Sequence, residues 1–184
     1  YVTGALAEGE IAALDIVKKL TDQDAPRTFA ESDAAEEVIK GYEAALHTNS
    51  GMYTIEELEE AMQKVMDEYA GGISVNYQFN EKQLDLAEEK IEILAKLAEK
   101  AAAGNMHELL FAYELKERLT VCQVLIAHLR ARKETRWHSF NENLDYPDTD
   151  ETFEKYVNSR MEDGKVKIIL RDIVKEAEYE HQNE

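Results

Sequence analysis

Arg132, Glu134, Arg136, Trp137, His138, Asp145 and Pro147 all fall in one string, RKETRWHSFNENLDYPDTDE, which runs from Arg132 to Glu151. Guanidinium groups beside carboxylates can form bidentate charge-assisted bonds, and an imidazole can move a proton. The string could therefore be an active site, a docking surface or the end of a helix. A second stretch, YVTGALAEGEIAA, places Thr3, Gly4, Ala5 and Leu6 where a helix should begin. Small residues there let backbone come close to a neighbour, and free N–H groups favour an electron-rich partner. Plain close packing explains the same residues.

Other chemistries lack their residues. No glycine loop has phosphate-cradling spacing, and Gly71-Gly72 reads as a helix stop. The five histidines show no HExxH or other close ligand spacing. His107 falls in the first turn of a helix, as an ordinary surface or interface residue. Cys122 is the single cysteine, which excludes an internal disulfide and any cysteine-built zinc or iron–sulfur site. It sits on an apolar stripe, as a small buried hydrophobe would.

The elements that must position these residues are mostly helices with legible starts. YTIEEL sets Thr54 as an N-cap with Glu57 three residues on, a capping box, and Tyr53 with Leu58 as a hydrophobic staple. Ile55, Leu58, Met62, Val65, Met66 and Tyr69 keep a helical period until Gly71-Gly72. Asn80 to Gln83 repeats the capping pattern, and Leu84, Ala87, Ile91, Leu94 and Ala98 follow at steps of three and four. Gly104 ends that run. Asn105 with Glu108 opens the longest helix, whose stripe is Leu115, Leu119, Cys122, Ile126 and Leu129, with Glu114 and Arg118 spaced to pair. The short Gly104-Asn105 link makes these two helices antiparallel neighbours.

Upstream, a helix is expected from about Ala5 to Leu20, a linker at DQDAPR, and a helix opened by Thr28 and Glu31 that runs to about Leu46. Downstream of Trp137, Pro147 and its polar surroundings forbid a continuous helix. Asp163-Gly164 is a turn signal between Lys155–Met161 and Lys165–Arg171, which read as a β-hairpin; a short helix is the alternative for the first half. The fold expected is mainly α: an antiparallel helical bundle of three long helices plus shorter ones, with a small C-terminal β-hairpin.

Acids outnumber bases 39 to 21, a formal charge of −18, so a nucleic-acid partner is not expected. No apolar run is long enough for direct membrane insertion, and no secretory signal stands at the start. A lone cysteine fits a reducing compartment, and the expected location is cytoplasmic. The chain opens on Tyr1, which points to an excised or processed piece.

The string from Arg132 onward resembles the C-terminal part of the fumarate reductase and succinate dehydrogenase flavoprotein family. That family ends a long helix with Arg-x-Glu-Ser-Arg-Gly-x-His, then Asp-x-Pro and an acidic pair. The matching residues are Arg132, Glu134, Arg136, His138, Asp145, Pro147 and Asp150. Thr135 and Trp137 replace Ser and Gly and are similar to the adenylylsulfate reductase alpha-subunit branch, as are MDEYAGG and HELLFAYELKERL. The chain departs from that branch at Leu6 and in HSFNEN after Trp137.

The resemblance implies an FAD-dependent oxidoreductase as parent, with electrons passing between flavin and a small substrate. Residues 1–24 would be the terminal helix of an upstream FAD-binding domain, 25–136 a helical bundle domain, and 137–184 an irregular segment, hairpin and charged tail. Thr3, Gly4, Ala5 and Leu6 would lie near the flavin. No catalytic residue and no metal ligand is carried over; the fragment alone is expected to hold no cofactor and not to be catalytic. Partners implied are the upstream FAD-binding domain and an iron–sulfur subunit. A free-standing acidic helical interaction domain is the alternative. Arg136 is expected to pair with acids of its own stretch, such as Asp145 or Asp150, and Trp137 to anchor the same corner by burying its ring.

Overall fold

The computed structural model describes residues 2–21, 33–47 and 52–173. The chain divides into two compact units, residues 1–39 and 40–184.

In the first unit, α1 (Val2–Thr21) is rich in alanine, the best helix former. Lys18 and Lys19 in its last turn complement the macrodipole, and the Thr21 hydroxyl closes onto the Val17 and Lys18 carbonyls. Residues 3–21 are all exposed, apolar ones such as Leu6, Ile11, Leu14 and Val17 included. The helix α2 (Asp33–His47) begins in this unit. The cap expected from Thr28 and Glu31, and the DQDAPR linker, lie outside the described residues.

In the second unit, α3 (Ile55–Tyr69), α4 (Glu81–Ala98) and α5 (Met106–Ala131) pack into one layer of core. The stripes expected from periodicity are the buried faces: Ile55, Leu58, Met62 and Val65 meet Leu84, Ala87, Ile91, Leu94 and Ala98, and Leu115, Leu119 and Ile126. Each buried Leu or Ile stabilises by about 1.5–3 kcal/mol. Arg130, at the end of α5, pairs with Glu81, Asp85 and Glu88 at the start of α4, and Lys116 pairs with Glu99 at its far end. Those pairs fix α4 and α5 as antiparallel. Tyr42 on α2 meets Tyr113 edge-on with ring centroids 5.8 Å apart.

The caps follow the sequence. Thr54 accepts from the Glu57 N–H at 3.1 Å while Glu57 accepts from the Thr54 N–H at 2.8 Å. Asn105 accepts from the His107 and Glu108 N–H groups, and Glu108 reaches back to the Gly104 N–H instead of the cap's own. Gly71 takes φ +78°, and the Gly72 N–H donates to the Asp67 carbonyl, a Schellman-type stop.

The hairpin is as expected, with β3 (Lys155–Glu162) antiparallel to β4 (Lys165–Asp172), and the first half is strand rather than helix. Asp163 and Gly164 both have positive φ, the conformation of a type I′ turn. Pairing absent from the sequence reading joins β1 (Gln78–Phe79) in parallel to β2 (Glu142–Asn143). It ties the loop before α4 to the segment after α5.

Candidate functional site

At Arg132 the chain leaves α5 in an extended conformation and then bends at Glu134, which brings Arg132 and Arg136 onto the Glu134 carboxylate. Glu134 is buried with its side chain 0% exposed. Its Oε1 accepts from Arg132 Nη1 and from Arg136 Nε at 3.1 Å. Its Oε2 accepts from Arg136 Nη2 at 3.0 Å and from the Asp150 N–H at 3.0 Å. Burial pushes the Glu134 carboxyl up, but the bonds from Arg136, the Asp150 N–H and Arg132 outweigh it and hold it below the ordinary value.

Arg136 does pair within its own stretch, but with Glu134 rather than with the side chain of Asp145 or Asp150, and what it takes from Asp150 is the backbone carbonyl, at 3.3 Å. The Asp150 carboxylate is taken by the Thr152 N–H and hydroxyl, at 2.8 and 2.7 Å. Asp145 instead accepts from the Glu81 N–H at 2.8 Å, holding the first turn of α4. Arg132 also donates to the Phe153 and Lys155 carbonyls, each at 3.1 Å, and so joins the end of α5 to the hairpin.

Thr135, buried beside Glu134, closes the corner. Its hydroxyl donates to the Tyr146 carbonyl at 2.9 Å and accepts from the Asn143 N–H at 3.0 Å. Its N–H donates to the Asp148 carbonyl, and its carbonyl accepts from the Thr149 hydroxyl. Asn143, also buried, accepts from the Asp145 N–H. Sequence reasoning named Thr135 only as a replacement for Ser and missed Asn143. The available signal was the Asn-Leu-Asp spacing, which suits an Asx turn.

Trp137 is 69% exposed, against the expectation that its ring would be buried. The chain has already entered a turn there, with the Phe140 and Asn141 N–H groups on the Trp137 carbonyl, and Asn143 fills the interior beside Thr135. His138 is exposed, with Nδ1 4.0 Å from Glu142. Glu142 is held by Gln78 Nε2 and the Ser139 N–H, which lower its carboxyl pKa. Pro147 is exposed.

Every lone pair direction used on Glu134 points to a donor, so the group is poised to brace the corner rather than to exchange protons. His128 and Ser159 meet at 2.9 Å, joining α5 to β3, but among the described residues no carboxylate orients the imidazole as a nucleophile–base pair would need. Burial pushes the half-buried Cys122 thiol up, away from nucleophilic form. Among the described residues no His, Cys, Asp and Glu group could hold a metal ion, and no helix is long and apolar enough to cross a membrane. Thr3, Gly4, Ala5 and Leu6 lie at the start of α1, where the first turn holds no acid and a Cβ on Gly4 would meet nothing within 4 Å.

Comparison with known proteins agrees with this layout. A profile of the family described as fumarate reductase flavoprotein C-term matches residues 59–183. The adenylylsulfate reductase alpha subunit of Megalodesulfovibrio gigas is 32% identical over 103 residues, covering 55% of this chain and 16% of that protein. The solved adenylylsulfate reductase of the hyperthermophilic Archaeoglobus fulgidus superposes with a TM-score of 0.84 at 30% identity, over 91% of this chain and 28% of that one. Quinol fumarate reductase of E. coli superposes with a TM-score of 0.65 at 19% identity, over 79% of this chain and 26% of that one, a likeness of fold. The chain thus spans less than a third of the length of each of these three relatives.

Proposed function

Because the chain belongs to the fumarate reductase flavoprotein C-terminal family, we propose that it is the helical domain that packs on the FAD-binding body of an oxidoreductase and is not catalytic alone. The observation that carries this reading is the match at residues 59–183, which includes the whole Glu134 brace. The exposed apolar side chains of α1 support it, since Leu6, Ile11, Leu14 and Val17 on one helix call for a covering surface. In this reading residues 1–24 are the last helix of the FAD-binding domain.

The start of α1 fits a flavin. Its first turn has no acid, and Gly4 leaves room for close approach. Thr3, Gly4, Ala5 and Leu6 would hold the electron-rich edge of the ring, and FAD would supply the electron transfer. An iron–sulfur subunit as electron partner, a cytoplasmic location, and adenylylsulfate or a dicarboxylate as substrate complete the proposal.

The test is to express the reading frame extended upstream and record its visible spectrum. Bound flavin is expected, with turnover of adenylylsulfate or of fumarate. A folded extended protein without flavin, or an upstream sequence lacking G-x-G-x-x-G, overturns the reading.

A further inference from the structure

Asp163 is the only aspartate in the chain that is followed by glycine. The pair forms the two-residue turn between β3 and β4, with φ of +51° and +72°. Both residues are exposed. The carboxylates of Asp67, Asp85, Asp145, Asp150 and Asp172 each accept a hydrogen bond, while that of Asp163 accepts none among the described residues. The strand register closes at Glu162 and Lys165, so the Gly164 N–H lies outside the ladder, and it meets no acceptor among the described residues. Space is open as well, since a Cβ on Gly164 would touch nothing within 4 Å. A carboxyl and the amide next to it in the chain therefore both stand unbonded in water.

We propose that Asp163 is a site of spontaneous modification, where the aspartyl residue closes to a succinimide and reopens as isoaspartate. The Gly164 nitrogen attacks Asp163 Cγ in the carboxylic acid form. An N–Cγ bond forms, the amide proton leaves to solvent, and the carboxyl hydroxyl takes up a proton and departs as water. One water molecule then opens the ring. Attack at Cγ restores aspartate. Attack at the main-chain carbonyl carbon leaves Gly164 linked through Cγ and frees an α-carboxylate. One water is lost and one gained, so the product keeps the mass of the starting chain.

The shape of the turn favours this step. A type I′ turn becomes type II′ by rotation of the one peptide plane between its central residues, and both types keep the first φ at about +60°. In type II′ the first central residue has ψ of about −120°, which sets the following nitrogen over its Cβ, as a five-membered imide requires. Asp163 already holds the φ, and both turn types suit a hairpin, so the ring closes without parting β3 from β4. Reopening as isoaspartate then adds one main-chain atom to the turn. Glu162 and Lys165 no longer close over two ordinary residues, and the ion pairs of Glu162 with Arg160 and Lys167 loosen with them. The proposal is independent of the flavin reading.

Incubation of the full-length polypeptide in mildly acidic buffer, followed by peptide mapping with electron-transfer fragmentation, tests this. Isoaspartate should accumulate at Asp163 in the folded protein, with loss of cleavage there by an aspartate-specific protease. Asp148, exposed but followed by Thr149, is the internal reference and should stay intact over the same interval. An isoaspartyl methyltransferase with labelled S-adenosylmethionine should mark the tryptic peptide Met161–Lys165. Asp163→Glu should lose that label, because a glutamyl residue would have to close a six-membered ring. Asp163→Asn keeps a residue suited to the turn and should form isoaspartate faster, with ammonia as the leaving group. Asp163 modified no faster than Asp148, or modified only after unfolding in urea, overturns the proposal. Label that survives in Asp163→Glu at the same peptide, or no gain in rate in Asp163→Asn, overturns it as well.

Discussion

Replacing Glu134 by Gln removes one negative charge from beneath two guanidinium groups. The carboxylate accepts four hydrogen bonds, three of them from Arg132 and Arg136. The amide can accept with its oxygen only, and its NH₂ then faces a cation. Breaking a fully buried ion pair costs about 3–5 kcal/mol. Here Arg132 and Arg136 remain 30% and 36% exposed, so water recovers part of their solvation. The expected loss is therefore about 2–3 kcal/mol.

The loss must also depend on pH. The folded carboxyl lies below its ordinary value of 4.5, so its contribution is fully present above that value and is lost as pH falls through the lower folded pKa. Urea unfolding followed by circular dichroism at 222 nm should show a large gap between parent and Glu134→Gln near neutral pH. The gap should shrink in acid, below about pH 4. A gap under about 0.5 kcal/mol at neutral pH, or one unchanged down to pH 3, would refute the brace.

Arg136→Ala leaves Glu134 with Arg132 and the Asp150 N–H, and should lower the urea midpoint by the equivalent of about 1–3 kcal/mol. Thr135→Val keeps the shape but strands the Asn143 N–H and the Tyr146 carbonyl, costing about 2–3 kcal/mol in the same assay. Trp137→Ala, at an exposed ring, should stay within about 0.5 kcal/mol of the parent; a larger loss would mean that the ring supports the corner from within. Gly72→Ala would bring its Cβ within 2.4 Å of the Asp67 Cα and 2.7 Å of its carbonyl oxygen, so the thermal midpoint should fall by several degrees or more. Thr54→Ala removes half of a capping box and should cost about 1 kcal/mol.

The helices were legible because their signals are local. A cap and its partner lie three residues apart, and a buried face repeats every three or four, so Thr54 with Glu57 and the stripe from Leu84 to Ala98 could be read directly. The Asp163-Gly164 turn was legible for the same reason. The corner was legible only as a set of residues. Its parallel pairing joins Gln78 to Glu142 across sixty-four positions through two residues a side, which leaves no periodic trace. The choice of Glu134 over Asp145 or Asp150 depended on the latter two being taken by the Glu81 N–H and by Thr152, which the run of bases at the helix end did not reveal.

That difference has a physical counterpart in how the two parts are built. The core among α3, α4 and α5 is apolar, and Glu134, Thr135 and Asn143, the buried polar residues among those described, all lie in the corner. Apolar packing is non-directional and tolerates exchange of similar shapes. A buried carboxylate with four donors tolerates almost none, because a buried group left unmet costs more than its bond had gained. The helical layer therefore supplies stability, while the corner fixes one orientation of the exposed Trp137 and Phe140 rings relative to α4, α5 and the hairpin. Loss of the Glu134 brace should loosen that orientation even where the helices survive. In Glu134→Gln, helical signal should persist under conditions where Trp137 and Phe140 exchange among several environments. Line-broadened or multiple indole N–H resonances beside an intact 222 nm signal would show it; a single sharp resonance shifted little from the parent's would count against it.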